Sequence, residues 1–249
     1  MTTKVVPGQL VAAPEPSEVA RESARRIARV IRGAQADRAQ ASLALSGGHT
    51  PRSAYSLLAH EPGIDWTCVD VFWVDERAVP PTDDRSNFRW AKATLLDPAG
   101  VPPHRVHRMP ADAPDAEAAA REYEQMLRDL VPPHAHGIPI PAFDAMVLGI
   151  GDDGHTASLF PHDPTVDVTD RLVVPVKARG GREARLTITA PVIEHGRHVF
   201  VIAVGTNKLA ALESVWAAQG DVAQTPARVV RGCRGMLTWI IDKAAGGLA

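Results

Sequence analysis

The stretch from Phe143 to Pro161, FDAMVLGIGDDGHTASLFP, constrains the fold of this chain more than any other. It opens with a short apolar run, Ala145 to Ile150, in which no charged or hydroxyl residue alternates with the hydrophobic ones. Such a run offers no face to water, so it predicts a strand buried on both sides, as in a parallel sheet covered by helices. It then breaks at Gly149, Gly151 and Gly154, with Asp152, Asp153 and His155 among them. Glycines at a strand end permit a tight turn and a close approach of backbone to ligand. A His two residues after an Asp on such a turn is a candidate general base with a carboxylate orienter. The same residues also read as a polar loop with a surface His.

The pattern of strand, glycine turn and helix recurs earlier. Ala41 to Leu45 reads as a buried strand and runs at once into Ser46-Gly47-Gly48-His49-Thr50-Pro51. Thr50 is placed to cap a helix and Pro51 to occupy its first position. Strand, glycine turn and helix N-terminus together present free backbone N–H groups to an anion. The absence of GK[ST] argues against a nucleoside-triphosphate loop and favours a single phosphate on a small molecule, with a glycine turn that binds no ligand as the alternative. Val69 to Val74 is a third strand, ending in Asp75-Glu76-Arg77 at the carboxyl edge where ligands of open α/β sheets gather. Late in the chain a strand from His198 to Val204 leads to a helix over 207–217, with Lys208 in its first turn. A cation there opposes the helix dipole, which is sensible if the ammonium faces a bound anion.

Other elements complete the pattern. Helices are predicted from Ser17 to a stop at Gly33, from a Ser86 cap through Leu95, from Asp115 to Leu130, and from Thr225 to Gly232. Further strands are predicted at 172–176, 185–189 and 236–241, with loops over 97–114 and 134–141. Strands alternating with helices over 249 residues predict a single α/β domain spanning 1–249, with a largely parallel sheet flanked by helices.

Composition removes several function classes. A formal charge of −2 with no basic run provides no attraction for nucleic acid. Cys68 and Cys233 lie far apart without a CxxC, so neither a disulfide framework nor a zinc ribbon is suggested. Nothing approaches a membrane span or a signal peptide, so no membrane partner is expected and a cytoplasmic location is the default. Gly149-Ile150-Gly151-Asp152-Asp153-Gly154 matches GxGxxG, but its two carboxylates stand where a pyrophosphate would need cations, so a dinucleotide site is rejected. There is no GxSxG elbow and no HExxH, so neither a serine nucleophile nor a catalytic metal is expected.

The residues carry a resemblance that covers most of the chain. Ser46-Gly47-Gly48-His49-Thr50-Pro51, Asp75-Glu76-Arg77 with Ser86-Asn87, Arg185-Leu186-Thr187, and above all Gly151-Asp152-Asp153-Gly154-His155-Thr156-Ala157-Ser158-Leu159-Phe160-Pro161 closely resemble the 6-phosphogluconolactonase family. The related glucosamine-6-phosphate deaminases share the Asp-Gly-His loop but continue with an Ile-Ala-Phe-Asn-Glu-Pro-like run. They also usually carry Tyr where this chain has Arg77. The resemblance implies a Rossmann-like, glucosamine-6-phosphate deaminase-like fold. It further implies hydrolysis of 6-phospho-D-glucono-1,5-lactone, in the oxidative pentose phosphate pathway, without a cofactor.

In that reading His155 activates water, Asp153 orients the imidazole, and Arg77 or backbone N–H groups receive the oxyanion. Gly47, Gly48 and Thr50, with Arg185 and Lys208, hold the 6-phosphate. Asp75 either binds sugar hydroxyls or fixes Arg77. The rival expectations are a deaminase acting on glucosamine 6-phosphate and a non-catalytic sugar-phosphate sensor. Oligomeric state is left open.

Overall fold

The computed structural model describes residues 5–134 and 139–248. In chain order its strands are β1 (Gln9–Ala13), β2 (Ala41–Leu45), β3 (Val69–Trp73), β4 (Asp75–Arg77), β5 (Ala145–Gly149), β6 (Val173–Val176), β7 (Arg185–Ile188), β8 (His198–Ala203) and β9 (Met236–Asp242). Its helices are α1 (Pro16–Arg38), α2 (His49–Leu58), α3 (Asn87–Ala91), α4 (Asp97–Ala99), α5 (Ala116–Leu130), α6 (Ala190–His195), α7 (Leu209–Trp216) and α8 (Lys243–Gly246). Six strands form the main sheet in the order β1-β9-β8-β5-β2-β3, with every pairing parallel. All residues of β2 and β3 are buried, including Ser42, which hydrogen-bonds Asp144, and Asp70, which pairs with Arg105 and His107. Trp73, Trp239, Tyr55, Tyr123 and Phe143 fill the space between sheet and helices.

From β2 the chain steps to β3 on one side, then returns past β2 to place β5 on the other. The connections leaving the carboxyl ends of β2 and β5 therefore diverge, and such a switch point opens a crevice above the sheet. The two glycine-rich turns flank that crevice.

Several elements differ from their expected form. Helix α1 does not stop at Gly33 but runs to Arg38, with Ala39 in a left-handed conformation beyond it. The apolar stripe continues through the buried Ile31 and Ala34, and its burial outweighs the roughly 1 kcal/mol that a helical glycine costs. Glu15 rather than Ser17 flanks its start. Ser86 does cap α3, accepting from Arg89 N, and Asp115 caps α5, accepting from Ala118 N. The expected loop over 97–114 contains α4 and a short 3-10 turn at Pro103–Arg105. Of the loop expected over 134–141, residues 135–138 lie outside the described residues.

The largest departure is a second sheet, antiparallel, in the order β4-β7-β6. The sequence reads Asp75 to Arg77 as a charged strand exit and 185–189 as a strand of unassigned position. Instead β4 pairs with β7, Asp75 opposite Thr187 and Arg77 opposite Arg185. Ile188 N donates to Val74 O at 2.9 Å, which ties the small sheet to the carboxyl end of β3. No helix among the described residues is long and apolar enough to cross a membrane.

Candidate active site

A cleft of about 400 Å³ lies over the carboxyl ends of β2, β5 and β8. Gly47, Gly48 and Thr50 line it from the β2 turn, Asp75, Arg77 and Arg185 from the small sheet, and His155 and Lys208 from the turns after β5 and β8. Of the nine residues expected in the site, eight share this cleft. The ninth, Asp153, sits behind His155.

The His155 side chain owes its position to its own loop. Asp153 Oδ1 lies 2.5 Å from His155 Nδ1 and also accepts from the His155 backbone N–H at 3.1 Å. A carboxylate on Nδ1 selects the tautomer with its proton there and leaves Nε2 as the basic nitrogen. The hydrogen bond from His155 holds the Asp153 carboxyl down at about 2, against a smaller opposing effect of burial. Phe160 packs on the imidazole with ring centroids 4.7 Å apart. Gly151 is a spatial necessity: a Cβ there would lie 2.0 Å from His155 Nδ1 and 2.6 Å from Asp153 Oδ1.

The cationic side of the cleft follows from strand geometry. Side chains on a strand alternate in direction, so Asp75 and Arg77 share one face of β4 with Thr187 and Arg185 opposite them. Two arginines directly across from each other repel. Arg185 is offset by a buried pair with Asp75 at 3.3 Å, and its guanidinium still sits below its ordinary pKa, chiefly through burial and also through Arg77. Arg77 donates to the Arg85 carbonyl at 2.6 Å and has no carboxylate partner among the described residues. An anion entering here meets a cation that the protein itself leaves unneutralised.

Three expectations about individual residues change. Asp75 does not fix Arg77. Its carboxylate accepts from Ser158 Oγ at 2.5 Å, from Arg185 at 3.3 Å and from Asn87 Nδ2 at 3.2 Å, and it is only 4% exposed. It is thus held by protein donors, with little left for sugar hydroxyls. Thr50 is not the cap of α2: Gly48, at φ 106°, occupies that position and the helix starts at His49. Thr50 falls instead in the first turn, where N–H groups lack intrahelical partners. Lys208 closes a 3-10 turn at Thr206–Lys208 and flanks α7 rather than lying in its first turn. Its ammonium donates to Asp152 Oδ1.

Ser158, Asn87 and Asp152 carried no individual role in the sequence reading. Ser158 and Asn87 stood within recognisable runs, but their function as donors to Asp75 depends on partners 83 and 12 residues away. Glu76, between two cleft residues, points the opposite way. Its carboxylate accepts from the backbone N–H groups of Arg77, Asn87 and Phe88 and from Ser86 Oγ, while burial raises its pKa. It anchors the start of α3.

Comparison with known proteins places the chain in a family. A model of the family described as glucosamine-6-phosphate isomerases/6-phosphogluconolactonase matches residues 14–239. The chain is 41% identical over 216 residues to a 6-phosphogluconolactonase of Synechocystis, covering 87% of this chain and 88% of the relative. A 6-phosphogluconolactonase of Streptomyces coelicolor is 38% identical over 245 residues, covering 95% and 93%. The solved 6-phosphogluconolactonase of Trypanosoma brucei superposes with a TM-score of 0.84 at 28% identity, over 96% of this chain and 98% of that one. On its sequence, its sheet order and these matches, the chain belongs to the glucosamine-6-phosphate isomerase/6-phosphogluconolactonase family, among its 6-phosphogluconolactonases.

Proposed function

We propose that this protein hydrolyses 6-phospho-D-glucono-1,5-lactone to 6-phospho-D-gluconate, a step of the oxidative pentose phosphate pathway, acting as one domain over residues 1–249 in the cytoplasm. One observation carries the reading: a single cleft joins a His backed by a carboxylate to a glycine turn and cations suited to a sugar phosphate. His155 Nε2 takes a proton from water as the water oxygen attacks C1 of the lactone. The C1 carbonyl oxygen gathers negative charge, which Arg77 and nearby backbone N–H groups stabilise. As the tetrahedral intermediate collapses, the C1–ring oxygen bond breaks and the imidazolium returns the proton to that oxygen. Asp153 stabilises the charged imidazole between the two transfers. A lactone is already an activated ester, so water and an acid–base pair suffice, and the step as written needs neither a covalent intermediate nor a cofactor.

At the far end of the substrate, the 6-phosphate rests on the Gly47-Gly48 turn and the start of α2 near Thr50. Arg185 and Lys208 supply cations, and Asp75 holds Arg185 in place rather than touching the sugar. The test is acid release from freshly prepared lactone, corrected for its spontaneous breakdown, in the wild type and in His155→Ala. The wild type should exceed the spontaneous rate. The variant should lose roughly 10²- to 10⁴-fold in kcat with little change in KM. A near-normal kcat would remove His155 as the base, and ammonia release from glucosamine 6-phosphate would point to deamination instead.

A further inference from the structure

A carboxylate stands at the margin of the proposed phosphate end of the cleft. Lys208 donates its ammonium to Asp152 Oδ1, and the same oxygen accepts from Asn207 Nδ2 at 3.0 Å. Lys208 and Asn207 both line the cleft, whereas Asp152 does not; it stands at the margin with its side chain 61% exposed, against 20% for Lys208. Three features follow from this arrangement. One oxygen of Asp152 does the work of holding two donors that face the cleft. That carboxylate is tied to the His155 loop, only three residues from the imidazole. The Lys208 ammonium has a partner before any substrate arrives.

We propose that Asp152 is a resident counter-ion of the phosphate site, one that holds Lys208 and Asn207 at the cleft and is exchanged for the phosphate of an incoming ligand. The inference rests on the phosphate reading given above and adds a specificity-determining residue to it. Energetics favour exchange over permanent pairing. An ion pair with one partner largely in water is weak, because solvent screens it. A phosphate brings more charge and more acceptor oxygens than one carboxylate, and it also meets the α2 terminus and Arg185. Asp152 therefore weakens, without abolishing, the binding of anything that carries the phosphate. The consequence is greatest for product, which keeps the phosphate and gains a carboxylate. A competing anion built into the loop shortens the residence of product and keeps Lys208 extended for the next substrate.

The experiment measures dissociation constants of 6-phosphogluconate and of inorganic phosphate by calorimetry for the wild type, Asp152→Asn, Lys208→Met and the double variant. Calorimetry needs no turnover, so loss of activity does not confuse the result. Asp152→Asn should tighten binding of both ligands about 3- to 10-fold, and the gain should shrink by at least half when Lys208 is already Met. Asp152→Ser, smaller and also neutral, should show the same tightening. Unchanged or weaker binding in both neutral variants would overturn the proposal, since Asp152 would then orient Lys208 for the phosphate. An equal gain with and without Lys208 would also overturn it, by reducing Asp152 to through-space repulsion. If Lys208→Met leaves binding untouched, the phosphate reading falls and this inference with it. If Lys208→Met weakens binding while Asp152→Asn changes nothing, only the inference falls.

Discussion

At the level of single residues, the proposed chemistry depends on two residues of one turn with different environments. His155 faces the cleft, while Asp153, half exposed, does not line it and binds the imidazole at Nδ1. That pairing lowers the Asp153 carboxyl to about 2, compared with about 3.9 in an unfolded chain. An acid whose pKa is depressed on folding stabilises the native state above its unfolded value. It gives up that contribution as the pH falls through its folded value. The stability advantage of the wild type over Asp153→Asn should therefore be flat above about pH 5 and shrink between about pH 4 and pH 2. Denaturant titrations across that range check it, and an advantage independent of pH would mean that the carboxylate is unpaired. The outlook for Cys233 is simpler: burial pushes its thiol up to about 12, so it is inert as a nucleophile.

Elements contribute by close approach. The β2–α2 turn passes so near α3 that a Cβ on Gly47 would lie 1.9 Å from Asn87 Oδ1. Asn87 has no freedom to withdraw, because its Nδ2 donates to both the carbonyl and the carboxylate of Asp75. Gly47→Ala should then displace the turn, destabilise the protein by about 1–3 kcal/mol and raise KM several-fold. Removing the obstacle relieves the clash, so Gly47→Ala with Asn87→Ala should be less destabilised than the sum of the single changes. Urea unfolding of the four proteins measures the coupling; strict additivity would show that the turn accommodates the methyl elsewhere.

Across the whole molecule, Asp75 joins three distant segments: β4 itself, Ser158 on the loop after β5, and Arg185 on β7. With the Arg185 side chain only 11% exposed, Asp75→Ala leaves a buried guanidinium without its carboxylate. Breaking a buried pair from one side typically costs about 3–5 kcal/mol. We expect a loss of that order in urea unfolding, together with weakened substrate binding as Arg185 loses its anchor. A loss below about 1 kcal/mol would mean that the small sheet is held without this pair. The pair is retained at a position where it also sets one cation of the cleft, so fold and site depend on the same contact.

Local order was largely legible where it arises from neighbours in the chain, although the helix ends at Ser17, Gly33 and Thr50 were not. The largely apolar run at 41–45 and the unbroken one at 145–150 pointed to buried parallel strands, and the glycines after them pointed to turns at the strand ends. The Asp153–His155 pair is two residues long and needed nothing else. Contacts between distant segments were not legible. Strand β4 has three residues, all of them charged, too short for any periodicity, and the Arg185 that Asp75 pairs with lies 110 residues away. The role of Asp75 and the pairing of Asp152 with Lys208 likewise depend on which loops the sheet order brings together. Propensity and patterning act along the chain, whereas charge pairing acts through space, and only the folded topology states which charges meet.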